Sequence, residues 1–247
     1  MAVYAGVDTF WMAHDNRGRL HAATKGIVQD GLVLNLDAGV RESYNGGDTW
    51  YDLSGNGNNG TLMNGPIFSG DNGGNIVFDG TDDYTTGGDV SISGNACSIA
   101  LWWIATGPPS TNNDSYGATI FAQSNNLYVG IFISNSWTNQ RINFGVVVND
   151  TISSPDNSVI NNTINYAVGT CDGSFQKIYI NGNLSASRSY SSNIQVANPA
   201  YRVGNWGYSS YQRNLQGKIY SVSLYNRALS ANEVQQNFNV TRKRFGI

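Results

Sequence analysis

The chain has 247 residues, of which 40% are hydrophobic and only 13% are charged, enough apolar material for one large domain with a continuous core. Its formal net charge of −3 and isoelectric point of about 5.2 argue against nucleic acid as a partner, because a phosphate backbone requires a broad positive surface. No stretch approaches the ~18 apolar residues of a membrane-spanning helix, and no basic segment precedes an apolar run at the N-terminus. We therefore expect neither membrane insertion nor a signal peptide.

Residues 1–27 differ from the rest of the chain, since they show no sustained hydrophobic alternation and contain both histidines, His14 and His21. A segment of this composition cannot build its own core, and it either folds back onto its own sandwich or docks on another subunit and orders on binding. Its candidate anchoring residues are apolar: Tyr4, Phe10, Trp11 and Met12. Because exposed apolar clusters usually mark interfaces, we expect an N-terminal arm over 1–27 that docks on another subunit, in a homo-oligomer or larger assembly. Residues 28–247 then form one domain.

From Gly31 onwards, short apolar or alternating segments bounded by Gly, Asn and Pro recur about every 8–15 residues, the spacing of a sandwich or barrel. The predicted strands are LVLNLDAG, GNIVFDG, ACSIALWWIA, ATIFAQ, LYVGIFIS, RINFGVVVND and the pair within NYAVGTCDGSFQKIYINGN. Alternation in ALWWIA places one of Trp102 and Trp103 in the core. Residues 106–118 contain Pro108-Pro109, which blocks strand pairing, and are a candidate binding loop.

Two turns and one helix have specific signals. Asn181-Gly182 lies between two apolar segments and predicts a type I′ hairpin turn, and Asp172-Gly173 marks a turn just upstream. Near the end, Ser230 and Glu233 form a capping-box pattern. The helix that follows has Val234 and Phe238 on one face, so we expect it to be short and to pack on the sandwich. The basic residues 242–244 that follow it are expected to complement the helix dipole.

The two cysteines, Cys97 and Cys171, both lie in apolar segments predicted as strands. A free cysteine in such a segment behaves as a small hydrophobic residue. The sequence favours two free thiols and leaves a disulfide between them open.

Five segments, in order and at suitable spacing, carry a resemblance: residues 31–38, 50–62, 77–84, 172–182 and 217–234. Together they resemble the laminin-G-like, concanavalin-A-like jelly-roll family, in the version found in structural proteins of tailed bacteriophages. The resemblance implies an all-β, two-sheet antiparallel jelly-roll sandwich with loops gathered at its rims. Relatives commonly carry an acidic residue shortly after Gly217, where this chain has Tyr220 and Ser221, and a calcium site that depends on that carboxylate is therefore in doubt.

The resemblance further implies a virion structural protein, a capsid decoration or tail-fibre component at the virion surface. The arm would contact other virion subunits, and the sandwich would contact host polysaccharide during host attachment. A free carbohydrate-binding lectin module is the alternative, and a jelly-roll glycoside hydrolase is a weaker one.

The rarity of glutamate argues against catalysis. Glycoside hydrolases need two carboxyl groups across the scissile bond, and the jelly-roll hydrolases take them from an E-x-D-x-x-E strand. This chain has only Glu42, alone in a Gly-rich segment, and Glu233, in the helix cap. Serine-triad and zinc chemistry would require a histidine near the core, whereas both histidines lie in the arm. We expect no catalytic residue, and thus no enzyme.

Aromatic side chains next to amides and cations suit sugars, because an aromatic face packs on sugar C–H groups while polar groups bond to the hydroxyls. The glycan-binding candidates lie in predicted rim loops: Trp206, Tyr208, Tyr211, Arg213, Trp137 and Tyr116. Asp82 and Asp83 are weak calcium candidates, because Ca²⁺ needs six to eight oxygen ligands and a solvated turn explains these residues equally well. We expect no cofactor, with Ca²⁺ as the unfavoured exception.

Overall fold

A computed structural model describes residues 13–14, 20–21, 26–90, 92, 94–109, 118–123, 131–146, 150–194, 200–206 and 213–247. Within these ranges the chain forms eighteen strands and one α-helix. The strands are β1 Ala13–His14, β2 Leu20–His21, β3 Leu32–Asp37, β4 Thr49–Trp50, β5 Gly60–Met63, β6 Ile67–Ser69, β7 Asn75–Asp79, β8 Tyr84–Asp89, β9 Cys97–Ala105, β10 Ala118–Gln123, β11 Ile131–Ser136, β12 Arg141–Gly145, β13 Thr151–Ser153, β14 Asn165–Cys171, β15 Phe175–Ile180, β16 Asn183–Ser189, β17 Ala200–Val203 and β18 Gln216–Tyr225. The helix is α1, Ala231–Thr241, and a 3-10 turn, Arg242–Phe245, follows it.

Two antiparallel sheets pack face to face, as expected for a jelly-roll sandwich. The front sheet has the strand order β13-β12-β11-β10-β17-β8-β5-β4, and the back sheet has the order β16-β15-β14-β9-β18-β7-β6. The long strand β18 pairs with β9 along one side, and with β7 and then β3 along the other. Strands β1 and β2 pair separately within the arm, with Ala13 opposite His21.

The main core lies between the sheets and is rich in aromatic rings. Its largest members expose no more than 1% of their surface: Trp50, Phe78, Trp103, Phe121, Phe144 and Tyr201. Each contributes about 1.5–3 kcal/mol through removal of apolar surface from water. Trp103 points into this core and Trp102 to the opposite face of β9, so the predicted alternation is confirmed.

A second apolar layer covers the outer face of the back sheet. Helix α1 lies over it, with Val234 fully buried and Phe238 stacked on Trp102, whose ring centre is 5.7 Å away. The Trp102 indole Nε1 donates to Thr241 Oγ1 at 2.8 Å. The predicted capping box is present: the Glu233 amide donates to Ser230 Oγ, and the Ser230 amide donates to the Glu233 carboxylate. Helix α1 thereby covers the middle of the back sheet's outer face, on β9, β14 and β18.

The basic residues after α1 do more than complement the helix dipole. The Arg244 side chain is only 5% exposed, and its Nη1 lies 2.6 Å from Asp37 Oδ1. Its Nε donates to the Asn72 carbonyl at 2.8 Å, and its Nη2 donates to the Gly74 carbonyl. Arg244 thus ties the C-terminal turn to β3 and to the loop before β7, a role that the dipole argument did not predict.

The hairpin and cysteine predictions can be compared directly with the structure. Asn181 and Gly182 both have positive φ, at 48° and 81°, as a type I′ turn requires. Cys97 lies opposite Cys171 in the register of β9 and β14, and both are buried free thiols. Burial raises the pKa of each thiol, which keeps both in the unreactive protonated form.

The inner boundary of the arm differs from the prediction. The Gly26 carbonyl accepts a hydrogen bond from Gln236, and the Val28 amide donates to Asn237 Oδ1 at 2.8 Å. Ile27 is 8% exposed and belongs to the apolar layer under α1. Gly26 and Ile27 therefore pack with the domain and not with the arm. The predicted anchoring residues Tyr4, Phe10, Trp11 and Met12 lie outside the described residues. No helix in the described ranges is long and apolar enough to span a membrane.

Candidate functional site

The outer face of the front sheet is the sheet face that α1 leaves uncovered. Its side chains follow from the alternation of each strand: Ile133 of β11 belongs to the inter-sheet core, so Phe132, Ser134 and Ser136 point outward. The same rule on β17 sends Arg202 outward, between the buried Tyr201 and Val203. This face divides into a covered half on β10–β13 and an open half on β17, β8, β5 and β4.

A row of polar side chains crosses four strands of the covered half. The register aligns Thr119, Ser134, Asn143 and Ser153 on β10, β11, β12 and β13. Ser153 Oγ donates to Asn143 Oδ1 at 2.8 Å, and Asn143 Nδ2 donates to Ser134 Oγ at 3.5 Å. The hydroxyl of Thr119 is buried and has no hydrogen-bond partner among the described residues. Hydroxyl and amide groups in this arrangement can both donate to and accept from a polar ligand.

Next to the polar row, Trp206 lies in a small apolar cluster with Phe132 and Ala122. Its ring meets Phe132 edge to face, with the ring centres 4.9 Å apart, and is 0% exposed. The guanidinium of Arg213, also buried, lies 5.1 Å from the Trp206 ring. Packing on Phe132 makes the Trp206 ring part of a core, so the structure offers no exposed stacking face at this glycan-binding candidate.

The remaining aromatic candidates are not brought together by the described structure. Trp137 is half-buried and packs against the inter-sheet core, and its carbonyl accepts a hydrogen bond from Asn161 Nδ2 at 2.8 Å. Tyr116, Tyr208 and Tyr211 lie outside the described residues. The predicted rim cluster thus has two members, Trp206 and Arg213, that the structure places in contact.

The open half carries residues that the rim-loop argument did not include. Tyr84 and Thr86 on β8, Met63 on β5 and Arg202 on β17 are partly exposed, and Thr61 on β5 is exposed. The guanidinium carbon of Arg202 lies 4.4 Å from the centre of the Tyr84 ring, which is a cation–π contact. Alternation in the segment Tyr201–Val203 was the signal that could have identified Arg202, since an arginine between two apolar strand residues must face solvent.

At the start of β8, the carboxylate oxygens of Asp79, Asp82 and Asp83 lie within 4.8 Å of one another. Asp79 accepts from the Thr81 amide at 2.7 Å, and this bond lowers its pKa. Asp83 accepts from the Asp79 amide at 3.0 Å, and burial raises the Asp83 pKa. The Asp79 and Asp83 carboxylates thus both accept hydrogen bonds from backbone amides and have a structural role in this turn. Ca²⁺ at Asp82 and Asp83 stays an unfavoured prediction.

The two glutamates lie in different elements of the fold. Glu233 Oε1 lies 2.6 Å from Arg227 Nη2, and this hydrogen-bonded cation lowers the pKa of Glu233 to about 2. Glu42 lies exposed in the loop after β3. Glu233 therefore belongs to the cap of α1, and Glu42 belongs to a surface loop.

Solved structures with this fold include carbohydrate-associated and receptor-binding domains. Domain 4 of a GH43 extracellular arabinanase from Geobacillus stearothermophilus, in complex with arabinotriose, has a TM-score of 0.63 and 18% identity, over 83% of this chain and 97% of that one. The botulinum neurotoxin type G receptor binding domain has a TM-score of 0.62 and 20% identity, over 85% of this chain and 51% of that one. The botulinum neurotoxin serotype D binding domain has a TM-score of 0.64 and 13% identity, over 87% and 53%. This chain spans about half the length of the two neurotoxin domains.

At these identities the likeness to the solved structures shows the fold alone, and no curated protein matches the chain in sequence. A match to a family model identifies the family. The model described as the concanavalin A-like lectin/glucanases superfamily matches residues 79–235, which is more than half of the chain. This stretch begins at the acidic turn before β8, contains strands β8 to β18 of both sheets, and ends in the first turn of α1. With its two-sheet jelly roll, its short C-terminal helix and this match, the chain belongs to the laminin-G-like branch of the concanavalin A-like lectin/glucanase superfamily.

Proposed function

We propose that this domain binds carbohydrate without catalysing a reaction, and that it does so through the outer face of the front sheet. The observation that carries the proposal is the open half of that face, where Tyr84 and Arg202 lie among threonine hydroxyls. A partly exposed aromatic ring offers a surface for sugar C–H groups, while guanidinium and hydroxyl groups bond to sugar oxygens. The inner faces of the two sheets form the core, and α1 covers the middle of the back sheet's outer face.

The comparisons support carbohydrate as the ligand class. The arabinanase domain, which this chain resembles along nearly its whole length, is described in complex with arabinotriose. The neurotoxin domains are described as binding domains as well. These are properties of those proteins, and they favour recognition over catalysis for the shared fold.

Absence of catalysis is part of the proposal. A retaining glycosidase needs carboxyl groups about 5–5.5 Å apart, and the carboxylate oxygens of Asp79, Asp82 and Asp83 lie within 4.8 Å of one another. The hydrogen bonds of Asp79 and Asp83 to backbone amides explain them as a turn. We expect no release of reducing sugar from any glycan that the protein binds. Turnover that disappears in Asp83→Asn but persists in Asp82→Asn would instead identify a hydrolase.

We further propose that the domain belongs to a virion structural protein, a capsid decoration or tail-fibre component at the particle surface, with the arm contacting other virion subunits. Support comes from the resemblance of the five segments to phage structural proteins. Mass spectrometry of purified particles tests this directly. Detection of the chain in particles at a fixed stoichiometry would support the role, and its consistent absence from them would leave a free lectin module.

The binding proposal is tested on a glycan array with the full chain, followed by calorimetry on the best ligand. Removal of the aromatic face in Tyr84→Ala should weaken binding about fivefold or more, because an aromatic anchor commonly contributes more than about 1 kcal/mol. Phe175→Ala is the matched control, since Phe175 is an aromatic residue, 43% exposed, on the back sheet. No binding to any glycan, or equal binding by both variants, would refute the front-sheet site.

A further inference from the structure

Arg202 of β17 is a cation on the outer face of the front sheet, and the structure gives it an aromatic contact but no ion pair within the described residues. Six basic side chains form ion pairs with a carboxylate: Arg141, Lys177, Arg188, Lys218, Arg227 and Arg244. Arg202 has no carboxylate partner within the ranges that the structure describes. Its guanidinium lies over the Tyr84 ring instead. A guanidinium that no acid neutralises retains its full capacity for an anionic ligand.

The position of Arg202 is fixed by the sheet. Its backbone lies between Ala122 of β10 and Thr86 of β8 in the register, at the boundary between the covered and open halves of the face. The small Ala122 side chain leaves room on one side, and the Thr86 hydroxyl lies on the other. An arginine held by neighbouring strands and by an aromatic ring loses less side-chain freedom on binding than one in a loop.

The geometry of the Tyr84 contact determines what Arg202 can still bind. A ring over one face of the guanidinium leaves the N–H groups at its edge free to donate. Two of these N–H groups match the two oxygens of a carboxylate in parallel. The exposed carboxylates of Asp82 and Asp89, just before and at the end of β8, would repel an extended polyanion. The site therefore suits a single carboxylate seated near Thr86.

We propose that Arg202 recognises the carboxylate of an acidic sugar residue, so that the glycan bound by this face carries uronic or nonulosonic acid units. This inference rests on the proposed carbohydrate-binding function and names its ligand class. Tyr84 positions the guanidinium, Arg202 binds the carboxylate, and Thr86 is placed to bond to a neighbouring hydroxyl.

The test is calorimetry of the full chain with pairs of oligosaccharides that differ only in the carboxylate. The pairs are an oligogalacturonate and sialyllactose, each with its own carboxyl-reduced form; a dextran sulfate oligosaccharide, which has no carboxylate, represents sulfated polyanions. We expect one acidic member to bind at least tenfold more tightly than its neutral partner, and which pair responds distinguishes uronic from nonulosonic acid. Arg202→Ala should abolish that preference. Arg202→Lys should retain only part of it, because an ammonium lacks the planar pair of donors.

Arg41→Ala is the matched control, because Arg41 is exposed and also has no ion pair in the described ranges. It should leave the preference unchanged. An equal loss in Arg41→Ala, or tightest binding to dextran sulfate, would show that overall charge is responsible and would overturn the proposal. If acidic and neutral sugars bind equally in the wild type, the Arg202 inference fails while the carbohydrate-binding function stands. If no member of the panel or the array binds, both fail.

Discussion

At the scale of single residues, Trp206 shows how a ring that resembles a sugar platform can serve a core. It is completely buried against Phe132 and beneath the Arg213 guanidinium. Within the part of the chain that the structure describes, its indole N–H has no hydrogen-bond partner, which costs stability and is offset by the packing of the ring. An aromatic residue in a Gly- and Tyr-rich segment is thus not by itself a binding residue.

Trp206→Ala should lower the free energy of unfolding by about 3 kcal/mol or more, because it removes a large buried ring and leaves a cavity. Trp206→Phe keeps an aromatic ring and removes the unpartnered N–H, so its loss should be less than half as large. Urea unfolding of the three proteins measures both differences. Unchanged stability in Trp206→Ala would mean that the ring is exposed in solution and is again a candidate for glycan stacking.

At the scale of secondary-structure elements, α1 is held by its first turn as well as by its apolar face. The Glu233 carboxylate accepts from the Ser230 amide at 2.8 Å and pairs with Arg227. Arg227 also pairs with Asp30, with Nε 2.7 Å from Oδ2, so this cation connects the helix cap to the turn before β3. The cap therefore contributes to closing the back sheet.

The stability of this cap should depend on pH. The Glu233 pKa is lowered to about 2 in the folded protein, chiefly by the Arg227 hydrogen bond. The ionised carboxylate therefore stabilises the fold above its unfolded pKa of about 4.3, and this contribution is lost as pH falls towards 2. Glu233→Gln keeps a capping-box residue but not the charge, and should cost about 1–2 kcal/mol at pH 7 after allowance for solvent screening.

Denaturant unfolding at pH 7 and pH 2.5 compares the two proteins. The difference in unfolding free energy between wild type and Glu233→Gln should be smaller at the lower pH. Protonation of Glu233 removes the charge that the Gln substitution also removes. Asp156→Asn is a control, since the Arg141–Asp156 pair is more exposed, with 57% of the Asp156 side chain accessible. A gap that stays constant with pH would assign the effect to capping geometry alone.

The elements themselves were predictable where apolar alternation is strong. The predicted segments contain β3, β7, β9, β10, β12, β14 and β15, and the capped helix is present. Strand β5 was missed because it lies within a Gly- and Asn-rich segment, where turn residues dominate the pattern. Gly60 fits there since a Cβ would lie 2.5 Å from the Thr85 side chain. Pairing with β8 makes this segment a strand, and pairing between distant segments leaves little trace in local sequence.

The candidate site was predictable only in part, for a related reason. Alternation indicates that Arg202 faces outward and that Trp103 faces inward, but it does not indicate which outward face another segment covers. Trp102 and Tyr84 both point away from the inter-sheet core, yet α1 buries Trp102 while Tyr84 stays partly exposed. Which outer face remains accessible depends on the path of the chain after β18, and that path is a property of the whole fold.

At the scale of the whole molecule, the two outer faces of the sandwich have different roles. The back sheet, α1 and residues 26–28 form a closed apolar layer, and Arg244 and Asp37 form a buried ion pair at one side of it. The front sheet presents polar and aromatic side chains on its outer face. The arm joins the domain on the closed side, at the packed residues Ile27 and Val28. A subunit held through the arm could therefore keep its front sheet free for a ligand.

Two truncations test this division between arm and domain. Removal of residues 1–25 should leave a folded protein with an unchanged cooperative unfolding transition, because the packing described for the domain begins at Gly26. Removal of residues 1–28 also deletes Ile27 and Val28, both 8% exposed, and the bond from the Val28 amide to Asn237. The longer truncation should lose about 3 kcal/mol or more of unfolding free energy, from two buried apolar side chains and a buried acceptor left unpaired.

If the arm is the assembly segment, the shorter truncation should remain folded yet fail to associate with itself or with purified particles, as measured by light scattering and co-sedimentation. Aggregation or a non-cooperative transition in the 1–25 truncation would show that the arm belongs to the core, and assembly by that truncation would refute its anchoring role.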